Sequence, residues 1–439
     1  MQLTVKIINQ DLVCIFGERQ PIHSTLTASL LTELKACCDS YHNTQMSNDR
    51  NALLNIGQRL FAVINNNPAD TQLWLDAVGA RQLTILSDAS PTLEQQLLLR
   101  LPWEILAVHD QFFAEDSLLF EVTRRVGEPA LNPPQPRYRD LTLAFMAADP
   151  ELNSDLNYEA EERAIFAATR NHKNLNLIVD ESGNLEELSR RLFDVDHCDV
   201  LHLSCHGNFD AERGFILHLE DRHFGPQMAT AHDFGQLGLH KQFSTLFLSS
   251  CHSADHRGKH SLMVDLARLG IANIVGWEGA VADDAATLFA ATFYRALQAE
   301  ATVPASCAVA RQVLLQKGYA HWHMGRCYLS AVGGVPLVSR RQPKSLKRRG
   351  KPCHELLDKE KQEVQVASRD TFVGRRRQTR EALHVFAERK HAGVLLYAIG
   401  GTGKSSLAAR IADRLEPTHK AAVLYRHSIP SPVTRMIAR

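Results

Sequence analysis

The chain has 439 residues, more than one ordinary domain needs and enough for two or three domains with a sizeable core. Its 49 basic and 49 acidic residues cancel, which argues against a protein that coats nucleic acid through its overall charge. Nine scattered cysteines, an amino terminus unlike a signal peptide and the lack of a long apolar run favour a soluble, cytoplasmic protein in a reducing compartment.

The first third of the chain predicts a strand hairpin followed by helices. Its alternating apolar residues and turn residues indicate, in order, strands at 3–7 and 12–16, helices at 24–36 and 49–65, a strand at 83–86 and a helix at 92–99. A cluster of Pro and Asn at 131–136 then marks a loop between two lobes.

From residue 141 the pattern changes to apolar strands that alternate with helices. The predicted elements are strands at 141–147, 175–179, 200–204, 245–250 and 271–275, with helices at 158–170 and 184–192. Strands that are apolar on both faces are typical of a mostly parallel sheet covered by helices, so an α/β fold is expected here.

A histidine and a cysteine follow two of these strands. His206-Gly207 comes directly after the strand at 200–204, and Cys251 follows the strand at 245–250. Neighbouring parallel strands bring their carboxyl ends to one sheet edge, where an imidazole can activate a thiol. The N–H groups of Gly207 and Cys251 could form an oxyanion hole. The alternative is a buried cysteine beside a structural histidine. Cys205 should point away from His206 and lie in the core.

A metal site is the other chemistry that these residues could support. The candidate ligands are Cys251, His252, Asp255, His256 and His260, with His321 and His323 farther along the chain. A zinc hydrolase needs three rigidly held ligands, whereas this segment resembles a loop, and 21 histidines make chance clustering common. No metal is therefore expected.

The sequence motifs around the two reactive residues resemble those of a known family. His-Gly after one strand and Ser-Ser-Cys-His after the next resemble the caspase-like (clan CD) cysteine peptidases. The flanking words resemble their CHAT branch, which is related to separase: LPWEIL at 101–106, LNYEAEERAI at 156–165, GWEGAVADDAATLFAATFY at 276–294, and the stretch 321–337. The likeness covers about residues 1–338.

The resemblance implies a caspase-like, mostly parallel sheet sandwiched by helices, with an N-terminal pseudo-peptidase-like lobe. It also implies a cysteine endopeptidase that needs no metal, in which Cys251 attacks the scissile carbonyl of a protein substrate and His206 manages protons. Relatives that cut after basic residues often carry an acidic residue two positions before the nucleophile, where this chain has Ser249. Asp283, Asp284 and Trp277 are further candidates for a substrate pocket, although the two acids could instead stabilise a helix start and the tryptophan could belong to the core.

A glycine-rich loop near the end predicts a phosphate site. Residues 393–398 read as a buried strand, 399–405 as the loop and 406–415 as a helix, the context that a phosphate-binding loop requires. The candidate nucleotide-binding residues are Gly400, Gly401, Thr402, Gly403, Lys404, Ser405 and Ser406, with ATP or ADP and magnesium as ligands. Ala398 stands where the motif's first glycine is usual. Seven Lys or Arg at 340–351 indicate a solvated linker, rather than a nucleic-acid or membrane patch.

The words at 372–375 (FVGR) and 399–405 resemble the signalling P-loop NTPases of the NACHT and NB-ARC (STAND) kind, which oligomerise when ATP replaces ADP. Only 35 residues follow Lys404, so the NTPase domain is expected to be incomplete, to bind nucleotide and not to hydrolyse it. The expected domains are an N-terminal lobe at 1–135, a catalytic lobe at 136–338, a basic linker at 339–370 and the incomplete NTPase at 371–439.

Together these features predict a nucleotide-regulated CHAT peptidase of bacterial defence or programmed cell death. Its partners would be a protein substrate and, through the NTPase region, further copies of itself; no membrane or nucleic-acid partner is expected. The alternative is a catalytically inactive peptidase-like module that docks partners for the nucleotide switch. An NTP-driven nucleic-acid enzyme is disfavoured by the zero net charge and by the lack of a series of base-stacking aromatic residues.

Overall fold

The computed structural model describes most of the chain. The described residues are 1–44, 49–137, 140–150, 158–169, 175–195, 198–210, 212–221, 225–254 and 261–339, and then 355–356, 365–367, 372, 375–387, 391 and 393–415. The chain divides into two compact units. Unit one comprises Met1–Glu220 and Pro226–Arg349, and unit two comprises Asp221–Gly225 and Gly350–Arg439.

The elements are numbered here in chain order. The strands are β1 (Gln2–Ile8), β2 (Asp11–Phe16), β3 (Ile22–Thr25), β4 (Arg81–Ser87), β5 (Ala107–Val108), β6 (Gln111–Phe112), β7 (Phe120–Val126), β8 (Leu141–Ala147), β9 (Leu175–Asp180), β10 (Cys198–Ser204), β11 (His206–Asp210), β12 (Gly214–Glu220), β13 (Pro226–Ala229), β14 (Phe243–Ser249), β15 (Asn273–Trp277), β16 (Gly325–Leu329), β17 (Glu355–Leu356) and β18 (Gln365–Val366). The helices are α1 (Ala28–Thr44), α2 (Arg50–Ile64), α3 (Pro68–Leu75), α4 (Leu93–Arg100), α5 (Tyr158–Thr169), α6 (Leu185–Phe193), α7 (Ala231–Gln236), α8 (Leu262–Arg268), α9 (Asp283–Gln298), α10 (Val303–Gln316), α11 (Arg376–Ala387) and α12 (Lys404–Leu415).

One sheet of eleven strands runs through unit one, in the order β3-β2-β1-β4-β7-β16-β15-β14-β10-β8-β9. Neighbouring strands pair in parallel except for β1–β2, β2–β3 and β15–β16. The mostly parallel α/β sheet predicted from the apolar strands is therefore confirmed. The sheet also joins the two expected lobes, because β7 pairs with β16.

The strands β8 and β10 are buried along their whole length. This burial requires cover on both faces of the sheet. A separate three-stranded antiparallel sheet, β11-β12-β13, branches off directly after β10. The outer hairpin β1–β2 pairs as predicted.

The first helix begins later than predicted. Residues 22–25 form the edge strand β3, which pairs with β2, and α1 starts only at Ala28. Thr27 caps this start, because its Oγ1 accepts the N–H of Leu30 at 3.1 Å. Residues 22–25 therefore pair with the open edge of β2, although their local pattern favoured a helix.

A buried carboxylate holds the middle of unit one together. Glu104 is fully buried and accepts two bonds from Arg124, at 2.6 and 3.0 Å, and one from Arg326. Arg311 lies 3.8 Å away, and Arg326 also binds Glu278 at 3.0 Å. Burial by itself would raise the pKa of Glu104, but the arginines outweigh it and lower the pKa to about 2. The carboxylate is thus the counter-ion of the buried Arg124 and Arg311, and it shares Arg326 with Glu278.

Unit two contains a small core of its own. Phe372, Leu383, Leu407 and Ile411 are buried together between α11 and α12. The buried strand predicted at 393–398 is wrong, because this segment forms no strand. Leu395, Tyr397 and Ile399 are more than four-fifths exposed. Among the described residues of this unit no strand pairs with the segment, so its apolar side chains have no sheet in which to pack.

In the part of the chain that the structure describes, no helix is both long enough and apolar enough to cross a membrane.

We predict that Glu104→Gln lowers the free energy of unfolding by about 3 to 5 kcal/mol at pH 7, because it leaves buried arginines without a counter-charge. Urea unfolding measures the change. The control is Glu128→Gln, since Glu128 is 70% exposed and pairs with Lys6 at 3.5 Å. We expect a change under about 0.5 kcal/mol for this control. Equal losses in the two variants would contradict the prediction.

The effect should also depend on pH. Since the pKa of Glu104 is lower in the folded state than its ordinary value of 4.5, its stabilisation is fully present above about pH 4.5 and is lost as the pH falls towards about 2. We therefore expect the stability difference between wild type and Glu104→Gln to narrow over this range by roughly 3 kcal/mol. Unfolding curves at a series of acidic pH values test this, and a constant difference would argue against it.

Candidate active site

Two neighbouring strands bring the predicted reactive residues to one edge of the sheet. β10 and β14 pair in parallel up to Ser204, which lies opposite Ser249. The N–H of Cys205 then donates to the carbonyl of Ser249 at 3.3 Å. His206 follows Cys205 as the first residue of β11, and Cys251 lies two residues beyond Ser249.

Gly207 lies against the residue that precedes the cysteine. A Cβ atom at Gly207 would overlap the hydroxyl of Ser250 and the ring of Phe215. This contact therefore joins the residue that follows His206 to the residue that precedes Cys251. The predicted role of Gly207 was to let a substrate approach its N–H, and the structure shows a second need for glycine, which is the close approach of Ser250.

Hydrogen bonds fix the loop that carries Cys251. The N–H of His252 donates to the carbonyl of Gly279 at 3.2 Å, and that of Ala254 donates to Trp277 at 2.9 Å. The Ser253 hydroxyl accepts the N–H of Trp277 at 3.0 Å. His252 has a φ of 60°, a left-handed conformation that costs a residue with a side chain about 1–2 kcal/mol. The surrounding bonds therefore hold the backbone after Cys251 in a strained turn.

Cys251 is the one exposed cysteine among the eight in the described part of the chain. The other seven are buried, and burial raises the pKa of Cys14, Cys38 and Cys205 to about 12 in each case. The prediction that Cys205 belongs to the core is confirmed, since it is 1% exposed. His206 is half-buried, so it is open to solvent on one side. The accessible thiol is thus the one that follows β14.

A buried carboxylate beneath the strand ends was not singled out from the sequence. Glu161 of α5 accepts the Ser204 hydroxyl at 2.9 Å and the Ser249 hydroxyl at 2.7 Å. His202 Nε2 lies 3.3 Å from the same carboxylate, and His202 Nδ1 lies 2.8 Å from the Tyr294 hydroxyl. The signal available in the sequence was the acidic helix word at 156–165, which contains Glu161.

The remaining pocket candidates lie in different environments. Ser249 is buried and bound to Glu161. Trp277 is 2% exposed, and its ring packs edge-on against Phe289 with centroids 4.8 Å apart. Asp283 and Asp284 are exposed in the first turn of α9, where a negative charge stabilises the helix. The described positions therefore place Ser249 and Trp277 in the packed interior and the two aspartates at the surface.

The candidate metal ligands can be followed only in part. Asp255, His256 and His260 lie outside the described residues. Within those that are described, no three His, Cys, Asp or Glu side chains are arranged to hold a metal ion.

The glycine-rich loop of unit two closes on itself before α12. Lys404 Nζ donates to the carbonyls of Ala398 and Ile399 at 2.7 and 2.8 Å, and Gly401 and Gly403 have positive φ. The loop residues from Gly400 to Gly403 precede α12, which begins at Lys404 and includes Ser405 and Ser406. A cavity of about 500 Å³ beside the loop is lined by residues that include Arg375, Tyr397, Thr402 and Lys404. This space adjoins the helix start, where a phosphate would be favoured.

We predict that Gly207→Ala lowers the free energy of unfolding by about 1 to 3 kcal/mol, because the added methyl group has no room. Urea unfolding tests this, with the exposed neighbour Asn208 changed to alanine as the control. Adding Ser250→Gly to Gly207→Ala removes one of the two obstructing groups and should restore part of the loss. An unchanged unfolding midpoint in Gly207→Ala would show that the described approach is wrong.

Comparison with known proteins shows the family to which this chain belongs. Two crystal structures of the Saccharomyces cerevisiae separase–securin complex, at 2.6 and 3.0 Å resolution, are 14% and 15% identical to this chain, with TM-scores of 0.33 and 0.34. Each match covers 58% of this chain, which spans 15% of the separase chain's length. No curated protein matches. The family model of the CHAT domain matches residues 54–346, more than half of the chain, and the protein therefore belongs to the CHAT-domain family.

Proposed function

We propose that this CHAT protein is a cysteine endopeptidase in which Cys251 is the nucleophile and His206 is its base. One observation carries the proposal: the exposed Cys251 lies two residues beyond the end of β14, and His206 lies two residues beyond the end of β10, the strand that pairs with β14. The contact between Gly207 and Ser250 brings the two segments together. Family membership supports the same assignment.

The chemistry follows from the properties of the two side chains. A thiol near pKa 8.5 is mostly protonated at neutral pH, so an adjacent imidazole is needed to form the thiolate. The thiolate adds to the scissile carbonyl carbon, and the N–H groups of Gly207 and Cys251 stabilise the oxyanion. The C–N bond breaks as His206 protonates the leaving amine. Water, deprotonated by His206, then hydrolyses the thioester and restores the thiol.

We expect Cys251→Ala and His206→Ala each to abolish cleavage without loss of the fold, because each removes one of the two reacting groups. New amino termini are mapped by mass spectrometry in a cell lysate incubated with the full chain, with and without ATP and magnesium. Asn208→Ala serves as the control and should cleave like wild type. Wild-type activity in Cys251→Ala would rule out the assignment.

A second test needs no substrate. An ordinary cysteine of pKa near 8.5 is about 3% thiolate at pH 7, so its alkylation by iodoacetamide slows roughly 30-fold from pH 10 to pH 7. We expect the rate at Cys251 to slow by less than about threefold, and His206→Ala to restore the ordinary dependence. Peptide mass spectrometry follows the label. An ordinary dependence in the wild type would instead favour the alternative function, an inactive module that docks partners.

For unit two we propose nucleotide binding, with magnesium held by Ser405 and the outer phosphates paired with Lys404. The closed loop and the adjoining cavity of about 500 Å³ support this. The resemblance of 372–375 and 399–405 to signalling NTPases extends the proposal to a nucleotide switch that controls the peptidase in bacterial defence or programmed cell death. The substrate would be a partner protein, and the switch would act through self-association.

We expect Lys404→Ala to weaken binding of a fluorescent ATP analogue at least about tenfold, because a charge-assisted bond to phosphate is lost. The control is Arg377→Ala, since Arg377 is exposed on α11 and does not line the cavity. Equal affinity in wild type and Lys404→Ala would exclude a phosphate role for this lysine.

A further inference from the structure

The pairing of β10 with β14 ends just before the two proposed catalytic residues. Its last backbone bond joins the N–H of Cys205 to the carbonyl of Ser249. Beyond this point the chain after β10 enters β11, which pairs with β12 in a different sheet. The chain after β14 turns into the loop that carries Cys251. Backbone hydrogen bonds of the main sheet therefore do not fix the distance between the two segments at His206 and Cys251, where that distance matters for catalysis.

Glu161 bridges the two strands at this point. Its Oε2 accepts the hydroxyl of Ser204, the last residue of β10, at 2.9 Å, and its Oε1 accepts the hydroxyl of Ser249, the last residue of β14, at 2.7 Å. Ser204 lies two residues before His206, and Ser249 lies two residues before Cys251. One carboxylate thus holds both strand ends at equal distances along the chain from the reactive residues.

The negative charge of the Glu161 carboxylate is buried and must be compensated by neighbouring groups. Glu161 is 5% exposed, and an uncompensated charge there would cost several kcal/mol. The Nε2 atom of His202 lies 3.3 Å from the carboxylate, and this ring is held between those of Phe145 and Phe247, with centroids 5.0 and 4.7 Å away. Burial would raise the pKa of Glu161, but His202 and the two serine hydroxyls hold it below its usual range. The group therefore stays ionised and able to accept both hydroxyls.

We infer that Glu161 is a positioning residue for the dyad, which sets the distance between the segments of His206 and Cys251 by binding Ser204 and Ser249 together. The inference rests on the proposed peptidase function. It also accounts for Ser249, which stands where basic-specific relatives carry an acid. A second carboxylate at position 249 would face that of Glu161, whereas a hydroxyl donates to it.

The test compares the alkylation rate of Cys251 by iodoacetamide at pH 7 and pH 10 in the full-length protein. At pH 10 nearly every accessible thiol is ionised, so the rate at this pH reports how easily iodoacetamide reaches the thiol of Cys251. The rate at pH 7 also reports activation by His206. The ratio used here is the rate at pH 7 divided by the rate at pH 10. We expect Glu161→Gln to reduce this ratio at least about fivefold, with the pH 10 rate unchanged within about twofold. A variant that only loosened the structure would change both rates together.

The serine variants separate a positional role from the effect of charge. Ser204→Ala and Ser249→Ala keep the carboxylate and each remove one bond, so each should lower the ratio. With both serines replaced, Glu161→Gln should have little further effect, because the two hydroxyls through which it holds the strand ends are already absent. If Glu161→Gln does not fold, the two serine variants still decide the matter. Unchanged ratios in both would overturn the inference, as would a further fivefold fall when Glu161→Gln is added to them.

Asp199→Asn is the matched control. Asp199 is also a buried carboxylate of β10, but it lies near the opposite end of that strand and accepts the N–H of Thr142 at 2.7 Å. We expect it to cost stability and to leave the ratio unchanged; a fall equal to that of Glu161→Gln would overturn the inference. The wild-type ratio tests the proposed function separately. If that ratio is the one of an ordinary thiol, the peptidase proposal fails. If it is high in wild type and equally high in Glu161→Gln, only the positioning role fails.

Discussion

The parallel pairing of β10 with β14 is the constraint on which the site depends. Their register places Ser204 opposite Ser249, so residues that are 45 positions apart in the sequence come to one edge of the sheet. A slip by one residue would turn every side chain to the other face and would take the polar residues of β10, Asp199 and Ser204, away from their partners, so this register is hard to change. The positions of His206 and Cys251 follow from that pairing and from the short segments that come directly after the two strands.

Two buried carboxylates connect segments of unit one through side-chain bonds, in addition to the backbone pairing of the strands. Glu104 offsets arginines from β7, α10 and β16, and so ties the first part of unit one to the second. Glu161 takes hydroxyls from β10 and β14 at the point where their backbone bonds end. A buried charge is costly unless donors compensate it; Glu104 accepts three bonds from arginines, and Glu161 accepts two from hydroxyls. Each carboxylate therefore restricts the chain to one arrangement of its neighbours.

Most central elements could be predicted because their signal is local. Continuous apolar runs indicated β8, β10 and β14, and capping residues such as Asp49 and Asn184 stand where the helices α2 and α6 begin. The errors occur where the outcome depends on a partner. Residues 22–25 became a strand because β2 offered an open edge. The apolar segment at 393–398 did not become one, since no strand described in unit two lies beside it.

The sequence by itself determined the α/β class, the family likeness and the candidate pair of His206 and Cys251, because strand periodicity and short motifs are properties of neighbouring residues. Only the tertiary structure decided that Gly207 contacts Ser250, that Ser249 is buried and that Glu161 binds both strand ends. These contacts join residues between 43 and 88 positions apart. Such contacts depend on the register of parallel strands and on the packing of α5 against them, which no local pattern encodes.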